Sequence, residues 1–223
     1  MQGGTICVQR TLAHDRYLVG IEAMGAPAHA TLTVGPASRP DGLVDCGDSG
    51  HNDRLVFASS VGAKPFTLPN EVAFRLPAGQ ALRLRLRFAE GEGGAVAVRA
   101  MSVPADDVGA LAEAAMLSAA HAVDVATSDT FVFGVSPVVG ASMSVRAHSS
   151  FAGLVTLHDA ALNDTRDVRR LEQTVPMRAG EPIEVSCTKE ADSGAARATT
   201  PASQPCRAVV YRYPASPQPS GPA

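Results

Sequence analysis

The sequence lacks several features by which large classes of protein are recognised. It has no tryptophan, and aromatic residues make up 4% of the chain. Lysine occurs only at Lys64 and Lys189, and the net charge is -3, so no basic surface predicts a nucleic-acid partner. No stretch approaches the roughly 20 consecutive apolar residues of a membrane helix, so no transmembrane segment is predicted.

Motifs of the common catalytic and metal sites are also missing. The sequence contains no H-E-x-x-H, no G-x-S-x-G, no glycine-rich phosphate loop and no C-x-x-C pair. No two histidines have the spacing that would place them on one face of a strand or helix; they are His14, His29, His51, His121, His148 and His158. The sequence therefore predicts no catalytic residue.

What the chain does contain is alternation of apolar and polar residues, which is typical of strands. Ala81–Phe88 alternates without a fault, with leucines on one face and arginines on the other. This pattern predicts a half-buried strand of an antiparallel sheet. A solvated face is the preferred interpretation of Arg83, Arg85 and Arg87, and an anion-binding stripe is the alternative.

Turn signals divide the strand candidates into two all-β units. Each unit carries an x-Ala-Gly turn between two strands, at 76–80 and at 177–182, which is a weak internal repeat of one sandwich type. The predicted organisation is a first domain at 1–103, a connection at 104–127, a second domain at 128–214 and a disordered tail at 215–223. The connection can accommodate a short helix, because Asp106-Asp107 precede the good helix formers of Val108–Leu117.

The four cysteines are far apart, which favours two disulfides and an oxidising compartment. Four cysteines allow three pairings. The two strand candidates around Cys187 and Cys206 favour a Cys187–Cys206 bridge, which leaves Cys7–Cys46. The alternative is four buried free thiols in a cytosolic protein.

Several stretches, in their order and spacing, resemble one known family. They are Ala28–Gly35, Asn52–Phe74, Ala81–Phe88, Phe131–Gly140, and Val175–Cys187 with Gln204-Pro-Cys206. Together they resemble the copper type II, ascorbate-dependent monooxygenases, of which peptidylglycine α-hydroxylating monooxygenase is the best-known member. The resemblance implies two tandem antiparallel jelly-roll β-sandwiches with a cleft between them, and it matches the same two cysteine pairs.

The resemblance does not extend to the copper ligands. The positions that match the family's six ligands are His29, Ala30, Arg87, Ser136, Val138 and Pro205. Copper requires imidazole or thioether donors, so five of the six positions are lost and His29 is the only relic candidate. The family's substrate-binding Arg and Tyr fall at Gly134 and near Val209. No metal and no cofactor are therefore expected, and the sequence favours a protein without enzymatic activity.

We therefore expect a non-catalytic, monooxygenase-like module that acts by binding a protein partner. An extracytoplasmic place in a bacterial cell-envelope or secreted assembly is predicted; no signal peptide is recognisable, so this would be a mature or trimmed form. The first alternative is a divergent copper monooxygenase or copper-binding protein, in which His29 is joined by ligands such as His51, His148 or His158, and copper is then the cofactor. The second is small-ligand binding in the interdomain cleft.

Overall fold

The structure, a computed structural model, describes residues 4–24, 29–37, 39–46, 53–60, 65–88, 96–118, 123–139, 143–159, 168–187 and 207–215. In its first half the strands are β1 Thr5–Thr11, β2 Arg16–Met24, β3 His29–Pro36, β4 Gly42–Val44, β5 Arg54–Ser60, β6 Phe66–Thr67, β7 Val72–Leu76, β8 Gln80–Arg87 and β9 Ala97–Val103. The remaining strands are β10 Ala110–Leu111, β11 Glu113–Ser118, β12 Val123–Val125, β13 Thr130–Val139, β14 Met143–Ser149, β15 Gly153–Asp159, β16 Arg169–Met177, β17 Pro182–Cys187 and β18 Arg207–Pro214. The predicted all-β class is confirmed.

The N-terminal unit consists of two facing sheets. One has the order β4-β1-β8-β3-β5, and the other has the order β10-β7-β2-β6 with β9 paired to β2. The pairs are antiparallel except β10 with β7. Alternation in β3 buries Ala30, Leu32 and Val34, as expected for a strand with one face in the core.

The C-terminal unit repeats the two-sheet plan with four strands in each sheet. The sheet orders are β11-β18-β13-β16 and β12-β17-β14-β15, and all pairs are antiparallel. Its own core contains Val132, Val145 and Ile183, all at most 1% exposed. Both units are therefore β-sandwiches, while the jelly-roll connectivity stays a prediction.

The repeated x-Ala-Gly turn makes the same connection in both units. Gly79 joins β7 to β8 and Gly180 joins β16 to β17, so each turn carries the chain from one sheet to the facing sheet. Both glycines have a positive φ, 75° and 88°, and residues other than glycine rarely adopt this backbone conformation. The turns predicted from the sequence are confirmed.

The prediction of a short helix in the connection 104–127 is wrong. A single 3₁₀ turn, Ala105–Asp107, is followed by β10, β11 and β12, and no α-helix occurs in the described part of the chain. The amides of Gly109 and Ala110 donate to the carbonyl of Glu71, and β11 pairs with β18 along its length. These partners lie far away in sequence, so tertiary hydrogen bonding overrides the local helix propensity.

The two sandwiches share a continuous apolar core. The cluster that fills the N-terminal unit also contains Phe133, Val168, Val209 and Tyr211, which belong to the C-terminal unit. Among the described residues no helix has the length and apolar composition needed to cross a membrane.

Candidate functional site

The first three positions matched to copper ligands lie at the paired ends of β3 and β8. His29 begins β3 and lies opposite Arg87 of β8. Ala30 is 2% exposed in the core, and successive strand residues point to opposite faces. His29 and Arg87 therefore share the outer face of the sheet, while Ala30 points away from both.

The environment of His29 favours its neutral form. Burial lowers the pKa of the imidazole below its usual value, and the nearby charges of Arg87 and Arg85 lower it further. Its Nδ1 lies 3.3 Å from Oγ1 of Thr31, and its Nε2 is buried without a hydrogen-bond partner among the described residues. A neutral imidazole can bind a metal, but two neighbouring arginines oppose the approach of a cation.

The second set of positions lies in the C-terminal unit. Ser136 is completely buried in β13, and its Oγ has no hydrogen-bond partner among the residues that the structure describes. Val138 belongs to the same strand, whereas its side chain and Pro205 lie outside the described part of the chain. A serine hydroxyl is a poor substitute for the imidazole or thioether that copper prefers, so this donor set does not fit the metal.

Aromatic side chains fill the space between the sandwiches, where the resemblance implies a cleft. The Phe66 ring lies 4.6 Å from that of Tyr211 and 6.1 Å from those of Phe57 and Phe133, measured between centroids. Phe74 packs edge-on against Tyr211. Phe57, Phe66 and Phe74 come from the N-terminal unit and Phe133 and Tyr211 from the C-terminal unit, so the interface is an apolar core.

Tyr211 also forms hydrogen bonds across this interface. Its hydroxyl accepts from the N–H of Ala58 and donates to the carbonyl of Ala58, both at 3.0 Å. Ala58 belongs to β5, the end strand of its described sheet, so these two backbone groups lie on the edge that no strand covers. Burial raises the pKa of the phenol, which therefore stays protonated and can make both bonds.

The two positions matched to the family's substrate-binding residues lie in the same core. An added Cβ at Gly134 would be 3.1 Å from Cε2 of Phe66 and 3.2 Å from the carbonyl oxygen of Arg169. Val209 is 0% exposed. A side chain at Gly134 would require Phe66 or the backbone of β16 to shift.

The remaining histidines that the structure describes do not converge. His148 is on the surface with its Nε2 3.3 Å from Oε2 of Glu184, His158 is buried in β15, and His14 is exposed. His51 and His121 lie outside the described residues. Among the residues that are described, no group of three His, Cys, Asp or Glu side chains could hold a metal ion.

The outer face of the N-terminal sheet contains a cavity with charged, polar and apolar lining residues. Its volume is about 140 Å³, and its lining residues come from β1, β3, β8 and the 39–46 segment: Cys7, Gln9, Thr31, Thr33, Arg39, Val44, Asp45, Cys46, Arg83, Leu84 and Arg85. The Cys7–Cys46 disulfide, which the sequence predicted, is confirmed and ties this segment to β1. The second predicted disulfide, Cys187–Cys206, lies outside the described part of the structure, which includes neither Cys206 nor the side chain of Cys187.

The three arginines of β8 differ in environment. Arg83 is 13% exposed and donates to Asp53, Gln9 and the carbonyl of Pro36, so the solvated-face interpretation is wrong for it. Arg85 and Arg87 are exposed, as that interpretation expects. Sequence reasoning missed Asp53 and Gln9, which lie 30 and 74 residues away from Arg83 and carry no local signal.

Comparison with known proteins adds no family. No protein-family model matches the sequence, and no curated protein is significantly similar to it. The resemblance to copper monooxygenases therefore remains an expectation from the pattern of residues.

Proposed function

We propose that this protein is a non-catalytic binding module of an extracytoplasmic assembly in a bacterium, and that it does not carry out copper redox chemistry. The observation that carries the proposal is the packed interface between the sandwiches. A monooxygenase of this kind needs an open cleft with a metal on each side, whereas here Phe66 and Tyr211 occupy the space between the units.

The ligand positions and the disulfide support the same proposal. Ala30 is buried on the wrong face, Arg87 is a cation beside His29, and Ser136 is a weak donor enclosed in the core. The Cys7–Cys46 bridge is stable in an oxidising compartment such as the periplasm or the extracellular space. If the fold is kept while the copper ligands are lost, natural selection can act on the surface of the protein. Binding a protein partner is the function that such a surface supports.

A copper test decides between this proposal and its first alternative. The protein is loaded with one equivalent of copper, dialysed against a weak chelator, and examined by metal analysis, electron paramagnetic resonance and ascorbate-dependent oxygen consumption. We expect no retained copper and no oxygen uptake above that of free copper.

The buried Nε2 of His29 is the one feature that favours the alternative. Retention of one copper per chain that is lost in His29→Ala would overturn the proposal. Retention that His29→Ala leaves unchanged would also contradict the proposal, and would show that His29 is not a copper ligand.

A further inference from the structure

We propose that the cavity on the outer face of the N-terminal sheet binds a small organic carboxylate, whose carboxylate group pairs with Arg85. This inference rests on the proposed function, because it names a ligand for a protein that acts by binding. The cavity lies on the face of the sheet away from the core shared by the two sandwiches. It is therefore distinct from the interdomain cleft that the sequence offered as a ligand site.

The charge of the cavity favours an anion. Three arginines and one aspartate line it. Arg83 pairs with Asp53, with Oδ1 2.5 Å from Nη1, so three arginines stand against the two carboxylates of Asp45 and Asp53, a formal excess of one positive charge. Arg87, on the same face of the sheet, adds a further cation beside the cavity.

Arg85 is a lining arginine that is available to a ligand, in contrast to Arg83. Arg83 donates to three oxygen atoms, of Gln9, Asp53 and Pro36, and these bonds hold the floor of the cavity together. Gln9, in turn, donates to the carbonyl of Arg39 at 2.6 Å. The residue Arg85 is exposed and makes no hydrogen bond or ion pair with other described residues. Its planar group matches a carboxylate in a two-point pair.

The size and walls of the cavity favour an organic anion over an inorganic one. A volume of about 140 Å³ is large compared with the ~10–15 Å³ that one water needs. Val44 and the Cys7–Cys46 disulfide supply apolar surface near Arg85, because Cys7 lies opposite both Val44 and Arg85 in the sheet. A short aliphatic chain attached to the carboxylate can therefore contact the disulfide and Val44.

The test is a titration of the metal-free, oxidised full chain with acetate, hexanoate and sulfate, followed by ¹H–¹⁵N NMR. We expect saturable shifts with hexanoate, tighter than with acetate or sulfate, at the amides of residues 7, 9, 31 and 85. Arg85→Gln should weaken hexanoate binding by about tenfold or more, since it removes a charge-assisted pair. Arg87→Gln is the matched control, on the same strand and face but outside the cavity lining, and should change affinity by less than about twofold.

Equal losses in Arg85→Gln and Arg87→Gln would overturn the inference, because they would show general electrostatic attraction. Sulfate binding as tightly as hexanoate would overturn the organic part of the ligand. Should Arg85→Gln fail to fold, the chemical-shift changes of the unaltered chain test the site. Hexanoate-dependent changes that do not occur at the cavity residues would refute it. If the protein binds neither a carboxylate nor copper, this inference fails and the proposed function stands. If the protein retains copper, the proposed function is refuted whether or not carboxylates bind.

Discussion

At the scale of single residues, Tyr211 determines how the two sandwiches meet. Its ring packs against phenylalanines of both units, and its hydroxyl satisfies two backbone groups on the open edge of β5. An uncovered edge strand invites pairing with another chain, so this one phenol both joins the units and protects an edge.

Tyr211→Phe should lower the free energy of unfolding by about 1–3 kcal/mol, because the buried N–H and carbonyl of Ala58 would lose their partner. Tyr213→Phe is the control, since the half-buried Tyr213 makes ring contacts to Phe131 and Phe133 and its hydroxyl has no described hydrogen bond. Urea unfolding of both variants measures the difference. Equal stability of the two variants would show that the bonds to Ala58 contribute nothing.

Buried histidines should make stability depend on pH. The pKa values of His29 and His158 are both lowered, chiefly by burial. Below about pH 6.5 the unfolded chain therefore binds protons that the folded chain does not, and stability falls as the pH drops from there towards the folded-state values. The carboxylates of Asp15, Asp41 and Glu181, whose pKa values are lowered by hydrogen bonds, lose their contribution to stability only at more acidic pH.

Urea unfolding at a series of pH values between neutrality and about pH 5 tests this dependence. His29→Gln should reduce the slope in that window, and adding His158→Gln should reduce it further. Above the window both histidines are neutral in the folded and unfolded states, so the curves of the variants should run parallel to that of the unaltered protein. A slope that neither substitution changes would assign the dependence to other groups.

At the scale of elements, the disulfide holds a short strand in place. β4 pairs with β1 over three residues only, and the Cys7–Cys46 bridge closes a sequence separation of 39 residues beside it. The bridge restricts the unfolded chain and also keeps the 39–46 segment over the cavity.

Cys7→Ser with Cys46→Ser should lower the free energy of unfolding by about 4 kcal/mol in the loop-entropy model, for a separation of 39 residues. Calorimetry of the double variant and of the oxidised protein measures the loss. The control is reductant, which should lower the melting temperature of the unaltered protein more than that of the variant. An unchanged melting temperature in the variant would mean that the bridge constrains nothing.

At the scale of the whole molecule, the shared core predicts one cooperative unit. Phe66, which is 2% exposed, contacts Phe57 of its own unit and Phe133 and Tyr211 of the other. Neither sandwich can unfold without exposing the apolar side chains of its partner.

Calorimetry should therefore show a single transition, with a van't Hoff enthalpy close to the calorimetric enthalpy. Phe66→Ala should lower stability by about 3–5 kcal/mol and move the whole transition, because it opens a cavity in the shared core. Phe151→Ala is the control: Phe151 is 60% exposed and contacts Arg178, so we expect a change of about 1 kcal/mol or less. Two resolved transitions, of which Phe66→Ala shifts only one, would contradict the prediction.

The sequence by itself determined the features that depend on neighbouring residues. Alternation along Ala81–Phe88 identified β8, because a strand places successive side chains on opposite faces. Gly79 and Gly180 marked the turns because only glycine adopts their positive φ easily. Four cysteines allow only three pairings, and the Cys187–Cys206 bridge favoured by the local strand pattern left Cys7–Cys46, which the structure contains.

Only the tertiary structure decided what depends on distant partners. Glu113–Ser118 is an alanine-rich segment with helix propensity, and pairing with β18 makes it a strand. Arg83 and Arg85 are equivalent in the sequence pattern, and the distant Asp53 and Gln9 make the first structural while the second stays available. Phe66 and Tyr211, 145 residues apart in the chain, pack together and fill the space between the sandwiches. The local sequence around either residue cannot predict a contact at that separation.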